Sequence, residues 1–186
     1  MYHIVNDARA KKSARLLVHA TITLANQKNF NEISISELQR VSSVSRSTFY
    51  RLFDTPVDVL AYACEQMMAD AEEEINRVTD ADAQHVQLLF IEACMKRVDL
   101  LRALVASDKT GLLRAAHHQH MSTMIESMHI QQTIQADTID YINNIMADIL
   151  PSAMFVWLAH GRREDAATVS QQIRASIQVL SYLYGV

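Results

Sequence analysis

The residues best suited to chemistry lie between positions 45 and 51, where hydroxyl groups alternate with arginines and a phenol. Arginine side chains reach phosphates or guanine edges, short hydroxyls donate or accept hydrogen bonds, and a phenol can donate to a phosphate. Such side chains read a nucleic acid when a narrow helix carries them into the major groove. We therefore expect DNA contacts from Ser45, Arg46, Ser47, Thr48, Tyr50 and Arg51.

Two short helices are needed to position these residues. Ser34 and Glu37 have the spacing of a capping box, in which each side chain bonds to the other residue's backbone N–H. This predicts a helix over residues 35–41, and Ser34 is a further candidate DNA contact. After a three-residue connection, Ser45 is placed to cap a second helix over residues 46–53. The pair predicts a helix-turn-helix whose second helix enters the groove.

The charge of the chain is unevenly distributed. Residues 1–53 carry eight Lys and Arg against three Asp and Glu, a net charge of +5, whereas residues 54–186 carry −9. The overall charge of −4 hides this division, which is typical of an anion-binding module joined to an acidic body.

The segment from Leu17 to Leu60 resembles the N-terminal module of TetR-type transcriptional regulators. The most specific part is Val-Ser-Arg-Ser-Thr-Phe-Tyr-Arg-Leu-Phe over residues 44–53. The resemblance implies an all-helical homodimer whose first three helices bind an operator half-site, while the remainder holds a ligand pocket and the dimer interface. The chain departs from the family pattern where glycines are usual, at Asn29, Ser43 and Ser47, and where a lysine is common, at Pro56.

The basic segment with Arg9, Lys11 and Lys12 resembles the basic N-terminal extension of many members of this family. The resemblance implies that these residues reach a phosphate backbone or the minor groove.

The composition predicts an all-α fold. Three Gly and two Pro in 186 residues are too few for a turn-rich β fold and cannot form the glycine-rich loops that bind nucleotides. Asn29 is predicted to end the first helix in a left-handed conformation. Phe49 and Phe53 are expected to face the core with Leu38 and Val41. Helices are predicted near 7–28, 35–41, 46–53, 56–76, 82–97, 99–107, 111–129, 138–160 and 164–184.

The predicted domains are a helix-turn-helix DNA-binding domain over residues 1–54 and a helical effector-binding and dimerisation domain over residues 55–186. Apolar stripes on the last two helices suit a bundle formed by two chains, and the alternative is that both stripes face the chain's own core. Met154, Phe155, Trp157 and Leu158 add apolar surface beyond one stripe, which favours the dimer. Pro151 either kinks or starts its helix. The expected interface residues are Ile142, Met146, Ile149, Ala153, Ile173, Ile177, Leu180 and Tyr184.

A pocket for a small apolar effector is a hypothesis based on methionines, which adapt to irregular apolar ligands. The candidate lining residues are Met67, Met95, Met121, Met124 and Trp157. Ordinary core packing is the alternative for each of them.

No metal, cofactor or catalytic residue is expected. His117, His118 and His120 lack a Cys, Asp or Glu at ligand spacing, which favours a polar patch over a zinc site. Cys64 and Cys94 fall in apolar helical pattern and indicate core thiols in a reducing compartment. The longest uncharged run has 13 residues, against about 20 for a membrane span. A cytoplasmic protein without a membrane partner is the simplest interpretation.

The sequence thus predicts a ligand-responsive repressor that acts as a homodimer on a pseudo-palindromic operator in double-stranded DNA. One alternative is a protein-interaction module that uses its helix-turn-helix as a DNA anchor and has no small-molecule effector. A small helical enzyme is a third reading, for which the residues give no positive support.

Overall fold

The computed structural model describes residues 1–4, 7–78, 82–127 and 136–185, although the side chains of residues 83, 121–127, 136 and 137 are not described. Over these residues the regular structure is helical, which confirms the predicted all-α fold. The helices are α1 (Ala8–Ala25), α2 (Ile35–Ser42), α3 (Arg46–Leu52), α4 (Pro56–Asn76), α5 (Ala83–Lys96), α6 (Val98–Ala106), α7 (Gly111–Ser127), α8 (Ala136–Ala159) and α9 (Ala166–Tyr184). A short 3-10 turn covers Phe30–Glu32.

The chain forms two compact units. Unit 1 comprises Met1–Gln66 and Asp99–Leu113, and unit 2 comprises Met67–Val98 and Arg114–Val186. Unit 1 therefore holds α1, α2, α3 and α6, whereas unit 2 holds α5, α8 and α9. The predicted division into a DNA-binding domain over residues 1–54 and an effector-binding and dimerisation domain over residues 55–186 assigns functions to the two parts, and it stays a prediction.

The beginning of α1 matches its sequence pattern, and its end does not. Asp7 caps the helix because its carboxylate accepts from the Ala10 N–H at 3.0 Å. The predicted face is buried, as its members Ala10, Ala14, Leu17, Thr21 and Leu24 show. The predicted left-handed stop at Asn29 is wrong: its φ is −57°, and its side chain accepts from the Asn31 N–H at 3.0 Å. Asn29 is thus the N-cap of the 3-10 turn, while α1 has already ended at Ala25 with Asn26 as its C-cap.

The turn between α2 and α3 is fixed by serines. The predicted capping box is present, with the Glu37 N–H donating to Ser34 Oγ at 3.2 Å and the Ser34 N–H donating to Glu37 Oε2 at 3.1 Å. Lys28 Nζ lies 2.8 Å from Glu37 Oε1, and this cation together with the Ser34 hydrogen bonds lowers the pKa of Glu37 to about 2. Ser42 Oγ donates to the Leu38 carbonyl and accepts from the Val44 N–H. Ser43 takes the left-handed conformation, with φ at 58°.

Pro151 lies inside α8, so it does not start a helix. A residue at position 151 would normally donate its N–H to the carbonyl of Ala147, but proline has no N–H. His117 Nδ1 lies 3.2 Å from that carbonyl and supplies the missing donor. The His117 ring packs 4.5 Å from the Phe90 ring, and burial lowers the pKa of His117 to about 4. His117 is thus a neutral core residue that satisfies the carbonyl that Pro151 leaves unpaired.

The rest of the histidine cluster is polar. His120 Nδ1 lies 2.9 Å from Glu72 Oε2. Among the residues that the structure describes, no group of three His, Cys, Asp or Glu side chains is placed to hold a metal ion. Cys64 and Cys94 are both buried, as their apolar pattern predicts.

The segment Thr138–Ala159 in α8 is long and apolar enough to cross a membrane by length and composition, and 28% of it is buried. The sequence prediction, which considered uncharged runs alone, missed it because Asp140 and Asp148 interrupt the run. Asp148 forms an ion pair with Arg114 of α7. Core helices of soluble proteins satisfy the same length and composition, so this feature by itself is weak evidence for a membrane span.

Candidate nucleic-acid interface

Helix α3 has one buried face and one polar face. Phe49 and Leu52 are each 1% exposed, and Phe53, which follows the helix, is fully buried. Leu38 also lies in this core, but Val41 does not: it is 39% exposed, so its predicted core position is wrong. Of the predicted DNA contacts on α3, Thr48 is half-buried and the others are exposed, namely Arg46, Ser47, Tyr50 and Arg51. The hydrophobic anchors thus leave the predicted contact side chains available to a ligand.

Three hydroxyl groups meet at the start of α3. Ser45 Oγ accepts from the Thr48 N–H at 3.2 Å, donates to Thr48 Oγ1 at 2.9 Å and lies 3.0 Å from Ser47 Oγ. Ser45 is therefore the predicted N-cap of the helix. Ser34 is similarly engaged with Glu37, although both capping serines are exposed.

Arg46 and Tyr50 form a stacked pair on the exposed face of α3. The Arg46 guanidinium carbon lies 5.8 Å from the centre of the Tyr50 ring, within the range of a cation–π interaction. The Tyr50 ring meets the buried Phe49 ring edge-on, with 5.4 Å between centroids. Stacking restricts the rotamers of the long Arg46 side chain before any ligand binds. The side chain therefore loses less conformational entropy on binding.

Lys11 and Lys12 are exposed, and they lie in the helix that the sequence predicted for this segment. Both lie in the first turns of α1, which starts at Ala8, and the neighbouring Ala10 is buried in the core. A helix presents the two ammonium groups, a placement that suits phosphates on the outside of a duplex. Contact of these residues with a phosphate backbone or a minor groove stays a prediction.

A set of polar residues on α2 was not among the contacts predicted from the sequence. An open depression of about 440 Å³ is lined by Ser36, Gln39, Arg40, Ser43 and Ser45. The signal was present, because positions 36, 39, 40 and 43 follow the spacing of one helical face. An arginine in the last turn of a helix also interacts favourably with the helix dipole. Because this structural role explains Arg40 as well as DNA binding does, the sequence did not single it out as a contact. Arg40 and Gln39 extend the candidate interface from α3 onto α2.

The structure describes the side chains of three of the five residues expected to line an effector pocket. Met67 and Trp157 are buried, and Met95 is half-buried. The indole N–H of Trp157 donates to the Glu164 carbonyl at 2.9 Å, so its polar atom is satisfied within the chain. Met121 and Met124 belong to α7, but their side chains lie outside the described part of the structure. Lining of a common pocket by these residues stays a prediction.

The expected interface residues differ in exposure. Met146, Ile177, Leu180 and Tyr184 are exposed, Ile142, Ile149 and Ala153 are half-buried, and Ile173 is 6% exposed because it packs within its own chain. Met154 and Trp157 are also buried, so the expectation of added apolar surface is wrong for these two residues, whereas Phe155 and Leu158 are half-buried. Further exposed apolar side chains, which the sequence analysis missed, are Tyr141, Ile145, Val179, Tyr182 and Leu183.

The all-helical fold with its helix-turn-helix is shared with solved TetR regulators, which confirms the fold that the sequence resemblance implied. Among solved structures, Lin0861 from Listeria innocua superposes with a TM-score of 0.82 at 17% identity and covers 96% of this chain and 97% of its own. A TetR transcriptional regulator from Streptococcus agalactiae has a TM-score of 0.61 at 14% identity, covering 90% and 94%. The fatty acid degradation regulator FadR from Bacillus halodurans has a TM-score of 0.54 at 12% identity, covering 86% and 91%.

Curated relatives agree with this class. The chain is similar to the HTH-type transcriptional repressor KstR from Mycolicibacterium smegmatis, with 22% identity over 94% of this chain and 89% of the relative. KstR from Mycobacterium tuberculosis shows 22% identity over 94% and 83%. No protein-family profile matches the chain. Both curated relatives are named as transcriptional repressors.

Proposed function

We propose that this protein is a transcriptional repressor that binds a specific double-stranded DNA operator through α3. The observation that carries the proposal is the exposed polar face of α3, where Arg46, Tyr50 and Arg51 stand opposite the buried Phe49 and Leu52. A seven-residue helix with this division can lie in a major groove and offer side chains to base edges. Relatives named as repressors support the same function.

Phosphate contacts would come from the cations that surround α3. Lys11 and Lys12 on α1 and Arg40 on α2 are all exposed. Contacts of this kind hold a protein in register on the duplex, while the α3 side chains select the sequence. The positive charge of the first 53 residues supports this division of roles, because the acidic remainder of the chain is repelled by phosphates.

We also propose a homodimer formed through α8 and α9. Exposed apolar side chains are concentrated on these two helices, and Leu180, Leu183 and Tyr184 are 50%, 70% and 80% exposed in a single chain. A second copy that covered this surface would remove a large apolar patch from water. A homodimer would also present two α3 helices to the two halves of a pseudo-palindromic operator. Nothing in this arrangement needs a membrane.

We further propose that a small apolar effector regulates the binding of the operator. Unit 2 contains Met67, Met95 and Trp157, and a structural neighbour is titled a fatty acid degradation regulator. We propose that an apolar ligand binds among the helices of this unit and changes operator affinity through different affinities for two conformations. A DNA-anchored protein-interaction module without an effector is the second candidate, which the apolar surface on α8 and α9 supports equally well. The reducing cytoplasm is the proposed location, since the two cysteines are buried core residues.

Salt dependence provides the test for DNA binding. The affinity for duplex DNA is measured between 50 and 200 mM salt for the wild type and for the double variant Lys11→Ala, Lys12→Ala. Each lost phosphate contact should reduce the slope of log affinity against log salt by about one. The double variant Lys96→Ala, Lys109→Ala removes the same charge from outside α1 to α3 and serves as the control. An unchanged slope in the first variant would reject the role of the two lysines, and a wild type that binds no duplex would reject the function.

The effector is tested separately by adding a long-chain fatty acid to the complex with DNA. Release of DNA, with a raised midpoint of thermal unfolding for the free protein, is the expected result. If the fatty acid changes neither the amount of bound DNA nor the midpoint of thermal unfolding, it is not the effector. The interaction-module candidate then gains support.

A further inference from the structure

Residues Met1–Ile4, here called the N-terminal strap, run along the end of the candidate recognition helix. The His3 N–H donates to the Leu52 carbonyl at 2.8 Å, and the Asp54 N–H donates to the Met1 carbonyl at 3.2 Å. Between these hydrogen bonds, Tyr2 and Phe53 form an antiparallel β-bridge. Leu52 is the last residue of α3, so a backbone segment from outside the helix-turn-helix satisfies one of its terminal carbonyls.

Side chains fasten the strap at the junction of α3 and α4. His3 Nε2 lies 3.1 Å from Asp54 Oδ1, in the linker between the two helices. The Tyr2 ring meets Tyr62 of α4 edge-on, with 5.4 Å between centroids. The exposed His3–Asp54 pair contributes little stability by itself, whereas the aromatic contact and the backbone hydrogen bonds define one position for the strap.

The Tyr2 contact continues through the core to the DNA-facing side of α3. Tyr62 packs against Phe53 at 5.7 Å, and Phe53 packs against Phe49 at 6.1 Å. Phe49 in turn meets Tyr50, the partner of Arg46. An unbroken series of ring contacts therefore joins Tyr2 to the exposed pair on the recognition helix. Packed rings have discrete arrangements, so a change at one end of the series alters the packing along it.

We propose that Tyr2 and His3 are positioning residues for DNA recognition, which act by holding the C-terminal end of α3 and contact no base themselves. This inference rests on the proposed function. A helix of seven residues is not stable by itself and depends on tertiary contacts for its orientation. Base contacts tolerate misplacement poorly because their hydrogen bonds weaken steeply with angle and distance. Loss of the strap should thus reduce sequence selectivity more than the affinity for DNA in general.

The experiment compares the full chain, without an N-terminal tag, with Tyr2→Ala, Tyr2→Phe and His3→Pro. Tyr2→Ala removes the ring, Tyr2→Phe retains it, and His3→Pro removes the N–H that bonds to the Leu52 carbonyl. Equilibrium affinities are measured for a selected operator and for a random duplex at the same salt concentration. Hydrogen exchange of the α3 amides is followed in the free protein.

Tyr2→Ala and His3→Pro should weaken operator binding about tenfold and random-duplex binding less than twofold, with an unchanged salt slope. Both should also accelerate exchange at the C-terminal end of α3, whereas Tyr2→Phe should match the wild type in every measurement. Wild-type operator affinity in Tyr2→Ala would overturn the inference. So would an equal loss on both DNAs with a smaller salt slope, which would make the strap a phosphate contact. Unfolding of both disruptive variants would assign the strap to folding and would also overturn it. A wild type that selects no operator rejects the proposed function instead, and the exchange data then test the strap separately.

Discussion

Arg46 is the side chain on which the proposed base recognition most depends. It is exposed, it stands on the polar face of α3, and the Tyr50 ring supports it at 5.8 Å. A guanidinium held in this way can form two parallel hydrogen bonds to a guanine, and such a pair discriminates between bases by about 1–3 kcal/mol. The contribution of Arg46 should therefore appear in sequence selectivity and not merely in total affinity.

Substitution of Arg46 tests this role. Arg46→Ala should weaken binding to a selected operator by about 1–3 kcal/mol and should relax the base preference at one position of each half-site. Fluorescence anisotropy on operator variants measures both effects. Arg77→Ala removes an equal charge from an exposed ion pair at the end of α4 and is the matched control. Equal losses of operator affinity in the two variants would show that Arg46 contributes only through its charge.

Ser43 allows a second test at single-residue resolution. Its φ of 58° is costly for a side chain with a Cβ, and glycine adopts this conformation without that cost. Ser43→Gly should therefore raise the free energy of unfolding by about 0.5–1 kcal/mol, as measured by denaturant titration. Ser36→Gly, in the exposed part of α2, should lower it by a similar amount. Destabilisation by both substitutions would show that the turn between α2 and α3 is not strained at Ser43.

Local rules predicted the residues whose partners are close in sequence. The caps at Ser34 and Ser45 involve residues three positions away, so their spacing alone was sufficient. Asn29 and Val41 were misjudged because their environments depend on where the chain goes next. The Asn29 side chain accepts a hydrogen bond from the Asn31 N–H and caps a 3-10 turn. Val41 lies on the exposed side of α2 and does not pack in the core.

At the scale of the helix, α7 and α8 are joined by a hydrogen bond that compensates for a proline. The carbonyl of Ala147 lacks the N–H that position 151 would normally give, and His117 from α7 takes that place at 3.2 Å. A buried carbonyl without a partner costs about 1–3 kcal/mol. This gives a physical reason for a histidine in an apolar core, where its pKa is lowered to about 4.

A double-mutant cycle measures this compensation. His117→Leu should destabilise the protein by about 1–3 kcal/mol in the wild-type background, because the Ala147 carbonyl loses its donor. Pro151→Ala restores a backbone N–H at position 151, so His117→Leu should cost about 1 kcal/mol less in that background. Denaturant titrations of the four proteins give the coupling energy. Identical costs in both backgrounds would show that His117 does not replace the missing amide.

Helix positions were predicted well because capping residues and apolar spacing mark them along the chain. Thr55, Pro56 and Asp58 illustrate this: they predicted the start of α4 at the residue where it occurs. The donor to the Ala147 carbonyl could not be predicted, because His117 is 30 positions earlier in the sequence and only packing brings it to α8. The strap escaped prediction for the same reason, since its two hydrogen bonds join residues about fifty positions apart.

At the scale of the whole molecule, the apolar surface of α8 and α9 needs a covering partner. Exposed side chains such as Tyr141, Ile145, Leu180 and Leu183 cannot be explained by the packing of one chain. The sequence stripes predicted that surface, but they could not separate residues of the chain's own core from residues left exposed. Ile173 belongs to the first group and Leu180 to the second, although they lie on the same helix.

A charged substitution in this surface tests the homodimer. Leu180→Glu should raise the dimer dissociation constant at least a hundredfold, because a twofold interface would bury two unpaired carboxylates. Val105→Glu, at a site with 49% exposure against 50% for Leu180, is the control and should leave the constant unchanged. Sedimentation equilibrium measures both variants. A Leu180→Glu protein that associates like the wild type would refute the assignment of the interface.

Selection of DNA from a pool of random duplexes tests the central claim most directly. The wild-type protein should enrich one sequence with two half-sites related by a twofold axis, and Arg46→Ala should lose the preference at one position in each half-site. The half-sites should be separated by about one helical turn, or by a multiple of it. A wild-type protein that enriches no sequence above background, while it binds duplex DNA, would contradict the account of α3 as a recognition helix.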